Sequence, residues 1–178
     1  MRFVDFLRTT VLLSGAAATA LAAVTVLAAG TDASASGLLV AVSVGWWLLA
    51  AVIGMRMGRR AETNPPIAKL LSGARASKTL PEHRPSAILI NRLWPLLIST
   101  LVAGAIAFLV PQVPAMAAGF AIIWALAWRR QDAAVAAIEE RDGAAFWVRR
   151  TSPLRPMSLL RTPGFAASRP EHVKGAVT

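Results

Sequence analysis

The sequence predicts an all-α integral membrane protein with four transmembrane helices arranged as two antiparallel hairpins. Three observations carry that expectation. Apolar residues make up 56% of the 178 positions and charged residues only 16%, at a mean hydropathy of +0.55, whereas a soluble domain holds about a quarter charged residues spread along its length. The apolar residues gather in four runs whose cores contain no Asp, Glu, Lys, Arg or His. The cations fall in alternate connectors, as the positive-inside rule requires.

The first run, Thr10 to Ala29, follows a short basic start with Arg2 and Arg8. The second, Leu38 to Met57, follows the small polar stretch Thr31-Asp32-Ala33-Ser34-Ala35-Ser36-Gly37. A spanning helix needs about 20 apolar residues, with a range of about 17–25, and both fit. The third run, Leu93 to Val110, is adequate, and the fourth, Val113 to Trp128, is short at 16 residues. Its ends need local bilayer thinning or help from neighbours. The expected helices are thus about 10–29, 38–57, 93–110 and 113–128. They form a transmembrane domain over 1–128 with a cytoplasmic loop at 58–92, and 129–178 forms a cytoplasmic extension.

Orientation follows from the cations. Arg2 and Arg8 precede the first run, and Arg56, Arg59, Arg60, Lys69, Arg75, Lys78 and Arg84 follow the second. Arg92 opens the third, and nine more follow the fourth. The connectors Gly30 to Gly37 and Pro111 to Pro114 hold none. Four spans with both termini inside put every cation on the cytoplasmic face. A cleaved signal peptide is the rival reading of the N-terminus, because Ala33-Ser34-Ala35 resembles a small-residue cleavage pattern. The first apolar run is longer than the 7–15 residues usual for such a peptide, which favours a retained span.

Pro111-Gln112-Val113-Pro114 leaves room only for a turn between the last two helices. Lipid tails are as apolar as Leu, so helices in a bilayer associate through small residues that let backbones approach. Ala50, Gly54 and Gly58 recur at four-residue spacing in the second helix, and Ala117, Ala121 and Ala125 in the fourth. Trp94 and Trp128 fall where an interfacial aromatic belt is expected. Trp46 and Trp47 lie mid-helix and fill the bundle interior or face lipid or a partner.

In the loop, Asn64-Pro65-Pro66 is suited to start a helix. Ile67, Leu70, Leu71 and Ala74 then share one face, with Lys69 and Arg75 away from it. Two placements are open for this basic amphipathic helix: on the lipid headgroups, or packed on the C-terminal segment. The fourth helix is expected to run on from Arg129 to Asp142 and stop at Gly143. Ala145 to Val148 and Met157 to Leu160 then offer a short β-hairpin, which needs something to rest upon. From Thr162 onward the composition is that of a disordered tail.

Motifs for chemistry are lacking. His83 and His172 have no partner at metal-ligand spacing, there are no cysteines, and no cofactor is expected. Gly73-Ala74-Arg75-Ala76-Ser77-Lys78-Thr79 lacks the Gly that a phosphate-binding loop places directly before its Lys. Glu139-Glu140-Arg141-Asp142 reads as a solvated charged face. The candidate contacts are cationic: Arg59, Arg60, Lys69, Arg75, Arg92, Arg129 and Arg130, read as ligands for anionic lipid headgroups. The net charge of +10 and pI of about 11.8 are assigned to cytoplasmic loops rather than to nucleic acid. The expected protein is a non-enzymatic structural, accessory or scaffolding component of a bacterial cytoplasmic membrane. Its partners would be the bilayer and another protein or a second copy. The alternative is a channel or transporter subunit whose path forms by oligomerisation; intramembrane ionisable residues, the usual mark of a coupled pathway, are absent from the apolar cores.

Overall fold

The computed structural model describes residues 1–30, 36–59, 62–76, 85–107, 109–149, 151 and 157–163. Six helices and three short strands follow in the order α1 (Phe3–Gly30), α2 (Ser36–Met57), α3 (Pro65–Ser72), β1 (Arg75–Ala76), α4 (Pro85–Ile106), α5 (Gln112–Trp128), α6 (Gln131–Asp142), β2 (Ala144–Val148) and β3 (Leu159–Pro163). The chain is mostly helical, and α1, α2 and α4 are long and apolar enough to cross a membrane. At 17 residues, α5 is shorter.

The long helices are sorted by side-chain size in the reverse of a soluble core. Leu12, Leu27, Leu38, Leu48, Leu101 and Phe120 are among the large apolar side chains left exposed. Small residues are buried instead: Ser14, Ala18, Thr25, Ala50, Ala103, Ala107 and Ala118. Apolar surface of this extent is stable only against lipid or a partner. The buried hydroxyls of α1 bond within their own helix. Thr10, Ser14 and Thr25 each donate at 2.8 Å to the carbonyl four residues back, Phe6, Thr10 and Leu21 respectively, which satisfies them within α1.

The central helix is α5, whose main partners are α1 and α2. The stripe Ala50-Gly54-Gly58 faces it: Ala50 is fully buried, and a Cβ on Gly54 would lie 2.8 Å from Leu126 Cβ. Trp46 lies flat against Gly119 so closely that a Cβ there would overlap the indole. Trp46 Nε1 donates to the Met116 carbonyl at 3.3 Å and Trp47 Nε1 to that of Ala115 at 2.9 Å, while Trp46 meets Phe120 edge-on at 5.7 Å. The mid-helix tryptophans therefore lock α2 to the N-terminal half of α5. By contrast, α4 sits at the margin, separated from α1 along part of its length by an apolar groove of about 350 Å³.

Several boundaries differ from the sequence expectation. α1 begins at Phe3 instead of residue 10, so Arg8 lies inside it. α4 begins at Pro85 and ends at Ile106 instead of spanning 93–110, and carries Pro95 within it. Its early start has a physical cause, because Ile88 is 2% exposed in a core outside the apolar bundle. Its early end follows from a turn in which Leu109 and Val110 amides both donate to the Ile106 carbonyl at 2.9 Å. The expected continuous helix from α5 onward breaks at Arg129-Arg130, where Arg130 leaves helical geometry at φ −112°, ψ 1°.

A second core lies at the end of the bundle where α1 begins. Phe3, Phe6 and Leu7 of α1, Ile67 of α3, Ile88 of α4, Val135 of α6, Phe146 and Val148 of β2, and Leu159 of β3 bury together. β2 and β3 pair antiparallel, with Phe146 opposite Arg161 and Val148 opposite Leu159. The second strand lies later than the expected Met157 to Leu160 and takes in Thr162, expected in the tail, which is fully buried where its hydroxyl donates to the Ala145 carbonyl at 3.2 Å. β1 from the loop adds to the outer side of β3 in parallel, giving the order β1-β3-β2. The N-terminus borders the opposite edge: Arg2 bridges Trp147, and the Val148 amide donates to the Met1 carbonyl at 3.1 Å. A two-stranded ribbon alone is marginal in water; here it shares a core with four helices and gains a neighbour at each edge.

Candidate functional site at the basic end of the bundle

The cationic candidates do not form one surface. Lys69 and Arg75 are exposed on α3 and β1. The apolar face of α3 is turned inward: Ile67 is 1% exposed, and Leu70 and Leu71 pack on the same core. Of the two placements open for this helix, packing on the C-terminal segment is the one found, and its apolar face is not available to headgroups. Asn64 is the residue before the helix and Pro65 and Pro66 open it, but the Asn64 side chain makes no capping bond. Its amide instead donates to Gln131 Oε1 at 3.0 Å. Replacing Ile67 with Ser should therefore destabilise the whole basic-end core by about 2–4 kcal/mol. Thermal unfolding in mild detergent checks this, and an unchanged midpoint would mean that α3 is a loosely held surface helix.

Arg92 lies inside α4, seven residues beyond its opening at Pro85. It does not project into solvent as a free interfacial cation. Its Nη2 donates to Thr151 Oγ1, and Asn91 Nδ2 donates to the Thr151 carbonyl at 2.8 Å. These bonds tie the segment between β2 and β3 to α4. Arg60 lies outside the described residues, as do His83 and His172.

Arg59, Arg129 and Arg130 are brought together. The backbones of α2 and α5 converge until a Cβ on Gly58 would overlap the Leu126 carbonyl oxygen. Just beyond that contact, Arg130 Nη1 donates to the Arg59 carbonyl at 2.7 Å. Arg129 is half-buried, and its Nε is shielded without a hydrogen-bond partner among the described residues. Arg56 is exposed in the last turn of α2. Cations at these two helix C-termini complement the negative ends of the macrodipoles. One turn back on α5, Trp124 and Trp128 stack at 5.1 Å. Glu62 and Asp132 are the acids of the flanking segments.

Two buried polar side chains hold this region, and sequence reasoning found neither. Gln131, 1% exposed, accepts from the Asn64 amide and donates through Nε2 to the Glu62 carbonyl at 3.1 Å. It fastens the loop after α2 to the start of α6. Glu139 corrects the expected solvated face, for it is 4% exposed. Its Oε1 accepts from the Phe146 amide at 2.7 Å and its Oε2 from Arg2 Nη2 at 2.6 Å. Gly143 ends α6 in the left-handed conformation at φ 60°, ψ 30°, turning the chain so that β2 runs back past Glu139. Only the neighbours of Glu139 face water. Asp142 accepts from Arg141 Nε at 2.9 Å, and that bond chiefly holds its carboxyl below the ordinary range. Among the described residues, no three His, Asp or Glu side chains converge to hold a metal ion.

The chain matches no protein-family model, no curated protein and no solved structure.

Proposed function

We propose that this protein is a four-span component of a bacterial cytoplasmic membrane, with both terminal segments in the cytoplasm. It serves as a structural or accessory scaffold that presents a folded basic module to a protein partner. The observation that carries this reading is the shared core outside the bundle. Phe3 and Ile88 come from the first turns of α1 and α4, Ile67 from α3 between α2 and α4, and Val135 and Phe146 from beyond α5, yet they bury one another. Segments that share a core lie on one side of a membrane. If α4 crosses outward, α5 must then cross back. Its 17 residues reach about 26 Å at 1.5 Å per residue, a few ångströms under the ~30 Å hydrocarbon thickness, a mismatch that local thinning accommodates. The positive-inside rule assigns the side of the core, rich in Arg and Lys, to the cytoplasm.

The same core argues for a retained first span. Cleavage near Ala35 would remove Phe3, Phe6 and Leu7 from it, along with the Arg2 partner of Glu139. Reporters fused after Arg60 and Thr178 should read cytoplasm, and those inserted at Ser34 and Gln112 the outside. A cytoplasmic signal at Gln112 would make α4 and α5 a re-entrant pair and remove the fourth span. Affinity purification in mild detergent with mass spectrometry of the retained proteins tests the scaffold role.

A further inference from the structure

We infer that the junction of α2 and α5 binds the headgroup of an anionic phospholipid, with Arg59 and Arg130 as its principal contacts and Arg56 and Arg129 beside them. The inference rests on the membrane reading above and deepens it by naming a ligand and a place. The amphipathic loop helix, the more obvious choice from the sequence, is excluded as an insertion device because Ile67 is buried in the protein core.

Two features set the junction at headgroup depth. On α2, Val52, Met55 and Met57 expose apolar surface immediately before Arg59. On α5, the half-exposed Trp124 and its stacked neighbour Trp128 precede Arg129 and Arg130. Aromatic rings of this kind sit at the boundary between hydrocarbon and headgroups. A lipid beside α2 and α5 thus has apolar contact for its chains and cations where its phosphate lies.

The helix ends that carry the cations, and the Arg130 side chain, are also fixed in place. The close approach of Gly58 to the Leu126 carbonyl sets the two helix ends, and the bond from Arg130 to the Arg59 carbonyl couples the two residues. Four arginines face two acids, Glu62 and Asp132, within the segments that meet here, so the local balance is positive. Glu62 is exposed. The guanidinium fork suits a phosphate oxygen pair. Lys69 and Arg75 carry equal charge on α3 and β1, without adjoining exposed apolar helix surface, and are the natural control.

The full chain, purified in mild detergent, is titrated with phosphatidylglycerol, phosphatidylcholine or inorganic phosphate, with bound lipid read by native mass spectrometry and stability by thermal unfolding. Phosphatidylglycerol should bind preferentially and raise the unfolding temperature. Each cation near an anionic surface contributes about 1 kcal/mol, or about fivefold in affinity. Arg59→Gln should therefore weaken phosphatidylglycerol binding about fivefold, and the Arg59→Gln/Arg130→Gln pair about 25-fold. Lys69→Gln/Arg75→Gln should change it less than twofold. The Arg59→Gln protein keeps the backbone carbonyl that Arg130 bonds, so its unfolding temperature without lipid should match the parent. Unchanged lipid binding in Arg59→Gln overturns the site, as does an equal loss in the Lys69/Arg75 control. Stabilisation by inorganic phosphate as large as that by the lipid would also overturn it, because the ligand would then be a soluble anion. None of these results depends on whether a protein partner is captured, so this site and the scaffold role fail separately.

Discussion

Replacing Glu139 with Ala should destabilise the protein by about 3 kcal/mol, a loss on the scale of the one expected for Ile67→Ser in the same module. The carboxylate is 4% exposed and answers two donors from distant parts of the chain. One donor, the Phe146 amide, belongs to a residue only 2% exposed in β2; an orphaned buried amide costs about 1–3 kcal/mol. The other, Arg2, has about a third of its side chain exposed, so its guanidinium can rehydrate and its share of the loss is smaller. Glu139→Gln separates the two effects. Gln retains an acceptor for Phe146 but turns an amide NH₂ toward Arg2, so about half the loss is expected. A double-mutant cycle with Arg2→Ala should return a coupling of about 1–2 kcal/mol. Unfolding followed through Trp147, whose Nε1 donates to Thr162 at 3.0 Å in the same sheet, reports the module directly. If Glu139→Ala unfolds like the parent, the N-terminus does not anchor to α6 as described.

That carboxylate marks where the sequence could and could not be read. The long apolar runs were legible because hydropathy in a bilayer is a strong, local signal. The stripe Ala50-Gly54-Gly58 was legible for a related reason, since small residues at four-residue spacing have few uses in a lipid-facing helix other than close approach. The expected runs Ala145 to Val148 and Met157 to Leu160 each overlap a strand, and the Gly143 stop was legible. The extension of the second strand through Thr162 to Pro163 was not, because Thr162 is held by Ala145 and Trp147 across the sheet. Glu139 was not legible, because its burial depends on Arg2, 137 positions away. Gln131 was hidden in the same way, its partners being backbone groups near residues 62–64. The placement of α3 was undecidable from its own pattern: an apolar face suits a membrane surface and a protein core equally, and only the shared core with Phe146, Val148 and Leu159 decides between them. The candidate cations were all visible as residues, but their grouping was not. Arg59 and Arg130 meet because Gly58 lets α2 reach α5, whereas Arg92 is drawn to Thr151.

Gly58→Ala should be as damaging to the bundle as Glu139→Ala is to the module, and a set of glycine substitutions tests why. At Gly58 the new methyl would overlap the Leu126 carbonyl oxygen, a backbone atom that cannot swing aside. The helices must part, and overpacking of this kind costs about 1–3 kcal/mol or somewhat more. Gly54→Ala should follow closely, since its Cβ would sit 2.8 Å from Leu126 Cβ and 3.0 Å from the Ile123 carbonyl oxygen. At Gly119 the obstacle is the Trp46 indole, a side chain that can rotate only by giving up its bond to Met116 and its contact with Phe120. Gly119→Ala should therefore show a smaller loss and an altered tryptophan emission. Gly15 and Gly104 have nothing within 4 Å of an added Cβ. Alanine there gains helix propensity of up to about 1 kcal/mol and should leave the protein unchanged or slightly more stable. Thermal unfolding of the five variants in one detergent gives the ranking. Losses at Gly15 or Gly104 as large as at Gly58 would mean that helix α5 does not sit against α2, and that a face left open in this structure is the one that packs.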